Sequence, residues 1–303
     1  MLFTMNSISP NPVYPLVLLG GGHSHALWLT HWQKLDSQDP LRVIRPLLIS
    51  ENSTSPYSGM LPGLLSGDYS YDDCHIDLAR LCRMSGCDFL KRSCINIQKI
   101  NSSDFETLYR LDFKACRSEL GDIEESQSIF CQTLSINIGS QPFSLTMDSE
   151  QLNSDETIWK VKPISQFFQH WQSLQQALNK TSLHKKNSNK KTVIRIVGAG
   201  AAGVEIACAI KMAQQHCHVQ LFARSNNPLP NFQPKIQQRC LKRLMKMDIE
   251  FINQEYANYK TSDFTILCTQ SSAPSWLKNT TLVLSENGFI VVDEDLQASW
   301  QGV

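Results

Sequence analysis

The chain has no long apolar run: no stretch approaches the roughly 18 residues that a membrane-spanning helix needs. It has no secretory start either, because the first fifteen residues offer neither a basic opening nor an extended hydrophobic stretch. Net charge is absent, with 28 Lys and Arg against 28 Asp and Glu, so no general attraction to nucleic acid or to an acidic membrane is implied. The ten cysteines follow no framework spacing, and a reduced thiol set in the cytoplasm is the simplest expectation. No Ser–His–Asp constellation or pair of carboxylates stands out, so no side-chain nucleophile or acid–base pair is expected. Metal chemistry is not expected: His23 and His25, two apart at a helix start, do not share a face, and no Cys or acid lies nearby at ligand spacing.

What is present begins with size. A chain of 303 residues, 42% hydrophobic, can bury a sizeable core in about two domains. Its organising stretch is Thr192 to Glu205. A short apolar run, Val193 to Val197, reads as a buried parallel strand; Gly198, Gly200 and Gly203 follow as G-x-G-x-x-G; small helix formers begin at Ala201 and Ala202. The first glycine permits a tight turn, the second lets a pyrophosphate approach bare backbone, and the third lets helix and strand pack closely. The helix N-terminus then offers unpaired N–H groups to phosphates. With strand before and helix after, the motif predicts a dinucleotide site.

A second turn of the same kind lies near the start. Leu16 to Leu19 reads as a strand, Gly20, Gly21, Gly22, His23, Ser24 and His25 as the turn, and Ala26 to Leu35 as a helix. His25 takes the third glycine position, where a side chain should hold the helix slightly off the strand. Arg42 to Ser50 reads as the next strand, and Glu51 at its end is either a ribose ligand or an exposed loop glutamate. Ser55 to Gly63 reads as a loop and His75 to Met84 as an amphipathic helix. Cys82 and Cys87, spaced C-x₄-C, fall at the end of that helix, where packed thiols are the simpler reading. Strands expected over 89–100, 109–116 and 131–138 would form a small antiparallel sheet, and Gly139 and Ser140 mark another turn.

Residues 143–157 read as a boundary. A helix follows Pro163, its Ile164, Phe167, Phe168, Trp171, Leu174 and Leu178 recurring at core spacing. The lysines of residues 180–191 read as a solvated loop, since no aromatics are interleaved for base stacking. His218 to Phe222 is the strand after the organising motif. Ala223 and Arg224 stand where an NAD site usually shows an acid, which mildly favours a 2′-phosphate. Strands are also expected over 249–252 and 264–268, with a hairpin arm over 288–293.

Gly20 to His25, Pro56-Tyr-Ser-Gly-Met-Leu-Pro-Gly63, His75-Ile-Asp-Leu78, Gly139-Ser140 with Pro142, Val161-Lys-Pro163 and Gly198 to Glu205 together resemble the pyridine nucleotide–disulfide oxidoreductase class. The similarity is to its type II NADH dehydrogenase-like members, and more closely to the flavoprotein found fused ahead of selenide, water dikinase in some bacteria. It implies an α/β fold of two Rossmann-like domains of the three-layer ββα type, the NAD(P)H domain inserted in the FAD domain. The expected boundaries are 1–143 for the first part of the FAD domain, 144–270 for the NAD(P)H domain, and 271–303 for a segment starting back. FAD is expected on the first glycine turn and NAD(P)H on the second. Tyr57, Ser58, Gly59, Met60, Leu61 and Pro62 would lie near the isoalloxazine, with Gly139 and Ser140 beside the FAD. Hydride would pass from NAD(P)H to FAD and electrons on to an acceptor such as a quinone, with a selenide, water dikinase as fused or separate partner and peripheral membrane contact left open. The chain departs from the family at Thr269-Gln270, where a Thr-Gly turn is usual, and stops at Val303 before a downstream Gly-Asp motif. The expectation is therefore an N-terminal part of such an enzyme, with a non-catalytic nucleotide-binding module as the alternative.

Overall fold

The computed structural model describes residues 13–36, 38–100, 107–117, 123–124, 128–142, 157–184, 191–254, 263–268 and 271–303. Residues 269–270, most of the 143–157 boundary and Lys185, Lys186 and Lys190 lie outside them. The chain divides into two units: residues 1–55, 76–139 and 273–303, and residues 56–75 and 140–272. The helices are α1 (His23–Gln33), α2 (Leu61–Ser66), α3 (Leu78–Ser85), α4 (Ile164–His184), α5 (Ala201–Ala213) and α6 (Pro234–Lys246).

The first unit holds β1 (Val13–Leu19), β2 (Leu47–Ser50), β5 (Asp88–Lys91), β6 (Cys94–Ile100), β7 (Leu108–Phe113) and β10 (Ser128–Ile136) in one sheet, ordered β5-β2-β1-β10-β7-β6. β3 (Thr54–Pro56) and β4 (His75–Asp77) pair where the chain leaves and re-enters this unit; β8 (Cys116–Arg117) and β9 (Ile123–Glu124) form a small ribbon. β5, β2, β1 and β10 are parallel, while β7 and β6 join antiparallel. The antiparallel strands thus extend the nucleotide sheet, and β10 runs parallel to β1 within it, where the sequence predicts a separate small antiparallel sheet. Side chains alternate between two cores. Leu18 and Leu48 join Leu29, Leu78 and Cys82 under α1 and α3. Val17, Leu19, Leu47 and Ile49 join Tyr109, Leu111 and Leu134 on the other face, with Leu282 and Trp300 from the final segment.

Several element boundaries move. Pro40–Val43 is a 3₁₀ turn, not strand: Asp39 caps it by accepting from Leu41 N at 2.9 Å, and Arg42 donates to Gln33 O and Leu35 O. The expected strand over 42–50 therefore shrinks to β2. Asp77 accepts from Arg80 N at 2.8 Å, which starts α3 at Leu78 and leaves His75–Asp77 extended. The stretch 89–100 breaks at Arg92 and Ser93, because β5 and β6 belong to opposite edges of the sheet. Over 284–298 only two isolated antiparallel bridges form, Leu284 with Ile290 and Val292 with Ala298.

The second unit is a five-stranded parallel sheet, β12 (Thr157–Lys160), β13 (Val193–Val197), β14 (His218–Ala223), β15 (Ile249–Asn253) and β16 (Phe264–Leu267), ordered β12-β16-β13-β14-β15. A short pair, β11 (Gln141–Pro142) with β17 (Ser271–Ser272), stands at its entry and exit. Phe167, Trp171, Leu174 and Leu178 of α4 and Ile206, Ala207 and Ile210 of α5 pack with Ile194 and Ile196 of β13. Arg195, between those isoleucines, is buried; its guanidinium lies 4.9 Å from the centre of the Phe222 ring and meets Gln220 Oε1. The segment expected as a loop over 55–63 contains a 3₁₀ turn, Ser58–Met60, and the start of α2. Pro62 fits the first turn of α2, where its missing N–H costs nothing, and Gly67 at φ +88° ends the helix. Leu61, Leu64 and Leu65 bury against the α5 core, so residues 56–75, read with the first domain, cluster with the second unit. Among the described residues no helix is long and apolar enough to cross a membrane.

Candidate functional site

Both glycine turns rest on the same hydrogen bond. Leu19 stands opposite Ile49 and Val197 opposite Phe222 in their parallel ladders. The next residue, Gly20 or Gly198, then donates its N–H to that facing carbonyl, to Ile49 O at 2.7 Å and to Phe222 O at 2.9 Å. Gly20 has φ +98° and Gly198 φ +110°, values that a Cβ strongly disfavours, so glycine is required there by backbone conformation. Two residues beyond each acceptor stand Glu51 and Arg224, both exposed. Glu51 Oε1 accepts from Ser93 Oγ.

The third glycine position is solved differently in the two turns. A Cβ added to Gly203 would lie 1.7 Å from Gly198 O, so only glycine lets α5 pack this closely. His25 stands there in the first turn, 4% exposed, and its Nδ1 donates to Gly20 O at 2.7 Å. Because Gly20 O can only accept, Nδ1 carries the proton, and in the neutral ring Nε2, 2.9 Å from Ser135 Oγ, accepts from that hydroxyl. Burial lowers the His25 pKa, against the raising effect of the bond to Gly20, which favours this neutral form. With both ring nitrogens engaged, His25 has no lone pair for a metal. Among the described residues no group of His, Cys, Asp and Glu is placed to hold a metal ion.

Asn137, which sequence reasoning passed over, locks the first turn: its N–H donates to Leu19 O at 2.8 Å and its carbonyl accepts from Gly22 N at 3.2 Å. Gly22 caps α1 and Gly200 caps α5 without a side-chain hydrogen bond, and neither first turn carries an acid. His23 and Ser24 are exposed on the first turn of α1, as are Ala201 and Ala202 on that of α5. A Cβ at Gly200 would meet nothing within 4 Å, so backbone lies open in front of the α5 N-terminus. Uncapped N–H groups with the helix dipole behind them form a site for an anion.

A cleft of about 300 Å³ in the second unit gathers most of the remaining residues. One wall is Ser58, Gly59, Leu61 and Pro62, another is Val161, Lys162 and Ile164, and the third is Ala202, Glu205 and Ile206 of α5. Lys162 and Glu205 are its ionisable side chains. Lys162 Nζ donates to Ser140 Oγ, tying Ser140 to the cleft wall. Met60 packs on the core behind, and the Tyr57 ring lies beside Gly59. Gly139 is exposed at the end of the first unit, and Arg224 does not line the cleft. Lys162 carries a signal in the sequence, the string Val161-Lys-Pro163, but the string itself does not reveal its place in the cleft.

Cys82 and Cys87 are both buried free thiols. The Cys82 contact and burial hold the Cys87 thiol far above its ordinary range, so it stays protonated at neutral pH.

A family model described as "Pyridine nucleotide-disulphide oxidoreductase" matches residues 44–303. No curated protein matches the chain. Among solved structures, NDH2 from Plasmodium falciparum in complex with NADH is similar at 17% identity with a TM-score of 0.63, over 89% of this chain and 57% of that one. Water-forming NADH oxidase from Lactobacillus brevis bound to NADH is similar at 15% identity with a TM-score of 0.65, over 94% of this chain and 60% of that one. Reduced CoADR-RHD from Bacillus anthracis is similar at 13% identity with a TM-score of 0.67, over 96% of this chain and 50% of that one. The chain thus spans between 50% and 60% of the length of these three, and at such identities the likeness is one of fold.

Proposed function

Because the chain belongs to the pyridine nucleotide-disulphide oxidoreductase family, we propose that it is an FAD-dependent NAD(P)H oxidoreductase. In this reading the first unit takes FAD on Gly20 to His25 and the second takes NAD(P)H on Gly198 to Glu205. Bound FAD would accept a hydride from NAD(P)H and release electrons to an acceptor such as a quinone. The chain's residues would bind and orient. The uncapped α1 and α5 N-termini would receive the pyrophosphates. Glu51 would accept from ribose hydroxyls at the first turn, and Arg224 would face a 2′-phosphate at the second. Ser58 to Pro62, Lys162 and Glu205 would hold a planar ring in the cleft, against the apolar Leu61, Ile164 and Ile206. The residues fit dinucleotides on one observation above all: two turns with the same glycine hydrogen bond, each feeding an uncapped helix free of first-turn acids.

The Pro56 to Gly63 string supports the finer reading of a module that works beside a selenide, water dikinase, and the scattered free thiols favour a cytoplasmic location. The test of the activity is direct. The purified protein should show flavin absorbance that NADH or NADPH bleaches without oxygen. A colourless protein that takes up neither added FAD nor NAD(P)H by titration would overturn the proposal.

A further inference from the structure

α6 carries Lys235, Arg239, Lys242, Arg243 and Lys246 in 13 residues and not one acid. At 100° per residue, Lys235, Arg239, Lys242 and Lys246 fall within an arc of about 60° and form a row about 16 Å long. Arg243 lies on the shoulder of that row. All five are exposed. Among the described residues of this unit the ion pairs are Lys211 with Asp248 and His218 with Glu250, and none involves these five. The opposite side of α6 is the packed one, with Leu244 in the core and Cys240 against it. Flanking the cations are exposed apolar side chains: Met245 is 71% exposed, Ile236 41%, and Phe232, just before the helix, 46%. The charge is regional. The chain is neutral, yet the second unit, residues 56–75 and 140–272, holds 16 of its 28 Lys and Arg and 12 of its 28 Asp and Glu.

We propose that this face of α6 docks the protein on an anionic lipid surface. Long basic side chains in a straight row, with aliphatic groups on both shoulders, combine the two attractions of an interfacial helix: charge to headgroups and shallow apolar burial. A nucleic-acid partner would call for stacking rings and polar base-reading groups beside the cations, and here the neighbours are Ile236, Met245 and a single Phe232. A folded acidic protein would need shape complementarity, whereas lipid headgroups move laterally to meet each Lys or Arg. The cytoplasm-facing leaflet of a bilayer supplies this chemistry.

The purified protein should co-sediment with vesicles containing phosphatidylglycerol at low salt, stay in solution with phosphatidylcholine vesicles, and be released as salt rises. Each cation near the surface changes partitioning about fivefold, so Lys235→Gln, Arg239→Gln, Lys242→Gln and Lys246→Gln should weaken binding in graded steps, and their combination should lower it to the phosphatidylcholine level. Met245→Ser with Ile236→Ser should remove the part that salt does not. These positions are exposed, and unchanged thermal unfolding checks that each variant is folded. Three results would each overturn the proposal: no wild-type binding to phosphatidylglycerol vesicles at low salt, binding indifferent to the charge series, or equal affinity for duplex DNA lost in the same variants.

Discussion

Glu51 and Arg224 stand at one and the same place in two copies of a turn, each two residues past the carbonyl that accepts the first glycine's N–H, Ile49 O in one and Phe222 O in the other. In the proposed function, these opposite charges at matched positions would meet different ribose partners. An acid suits a free 2′-hydroxyl, and an arginine suits a 2′-phosphate. Arg224→Ala should weaken NADPH by about tenfold, within the range of one charge-assisted hydrogen bond, and leave NADH nearly unchanged. Fluorescence titration with both cofactors checks this; equal loss for the two, or none, would sink the assignment.

Gly200 and Gly203 should separate binding from stability. Gly200 has open space and extended backbone, φ −72° and ψ −176°, so Gly200→Val should cost no more than about 1 kcal/mol of stability yet block the approach of a pyrophosphate. Gly203→Ala drives a Cβ into Gly198 O and should cost about 3 kcal/mol or more. Denaturant unfolding together with NAD(P)H titration distinguishes the two. FAD content should survive Gly200→Val, since that cofactor is assigned to the other turn.

His25 makes stability pH-dependent, with a fixed sign. Its folded pKa lies below its unfolded value of about 6.5. Between the two values the unfolded chain binds more protons, so this contribution to stability is full above about 6.5 and declines as pH falls toward the folded pKa. His25→Gln, which retains an amide donor, should flatten that part of the profile. A wild-type profile that the substitution leaves unchanged would show that His25 is not the titrating group.

Lys162 should tune the balance between the two redox forms of the nicotinamide. The oxidised ring is a cation and the reduced ring is neutral, so Lys162 would oppose the oxidised form where the planar ring of the proposed function is the nicotinamide. Lys162→Met should raise affinity for NAD+ relative to NADH by about fivefold or more, the effect of a unit charge at contact distance even in a water-like dielectric. If both forms bind and their ratio does not move, Lys162 is remote from the ring; if neither binds wild type, the cofactor assignment itself fails.

Trp300 closes the core of the first unit. It is 6% exposed, its ring stacks on Tyr109 with centroids 5.6 Å apart, and the Tyr109 hydroxyl donates to Gln301 O. Trp300→Ala should cost about 3 to 5 kcal/mol. The loss should show as early unfolding of the first unit while the second keeps its transition, followed by tryptophan fluorescence and far-UV dichroism.

The two glycine turns were legible because φ above zero and close helix packing select glycine at fixed spacing, and such constraints leave a local mark. The matching of Glu51 with Arg224 was not legible, since it depends on strand register, which pairs residues far apart in the chain. Lys162 was passed over for a similar reason: its tie to Ser140 spans a segment that the sequence marks only as polar. α2 was hidden because Pro62, Gly63 and Gly67 punctuate six residues like a loop, and only its burial on α5 reveals a helix. Arg195 sits within an apolar run, and nothing in one sequence tells a buried arginine over Phe222 from an exposed one. The addition of β7 and β6 to the edge of the nucleotide sheet, where the sequence predicts a separate sheet, likewise rests on which edge is free.

The insertion of one unit within the other sets an order of assembly on the ribosome. β1 pairs with β10 more than a hundred residues later, and Leu134 N waits for Gly302 O, at 3.0 Å, and Leu282 and Trp300 to cover its side of the sheet. The inserted unit has its five parallel strands synthesised by Leu267. It can therefore close while the outer sheet still lacks the wall that Leu282 and Trp300 supply, and that wall is added only when residues 273–303 leave the exit tunnel. Long-range pairing of this kind slows folding. A nascent chain stalled before Trp300 should accordingly protect the inner unit from protease and leave Val17, Tyr109 and Leu111 open to chaperones.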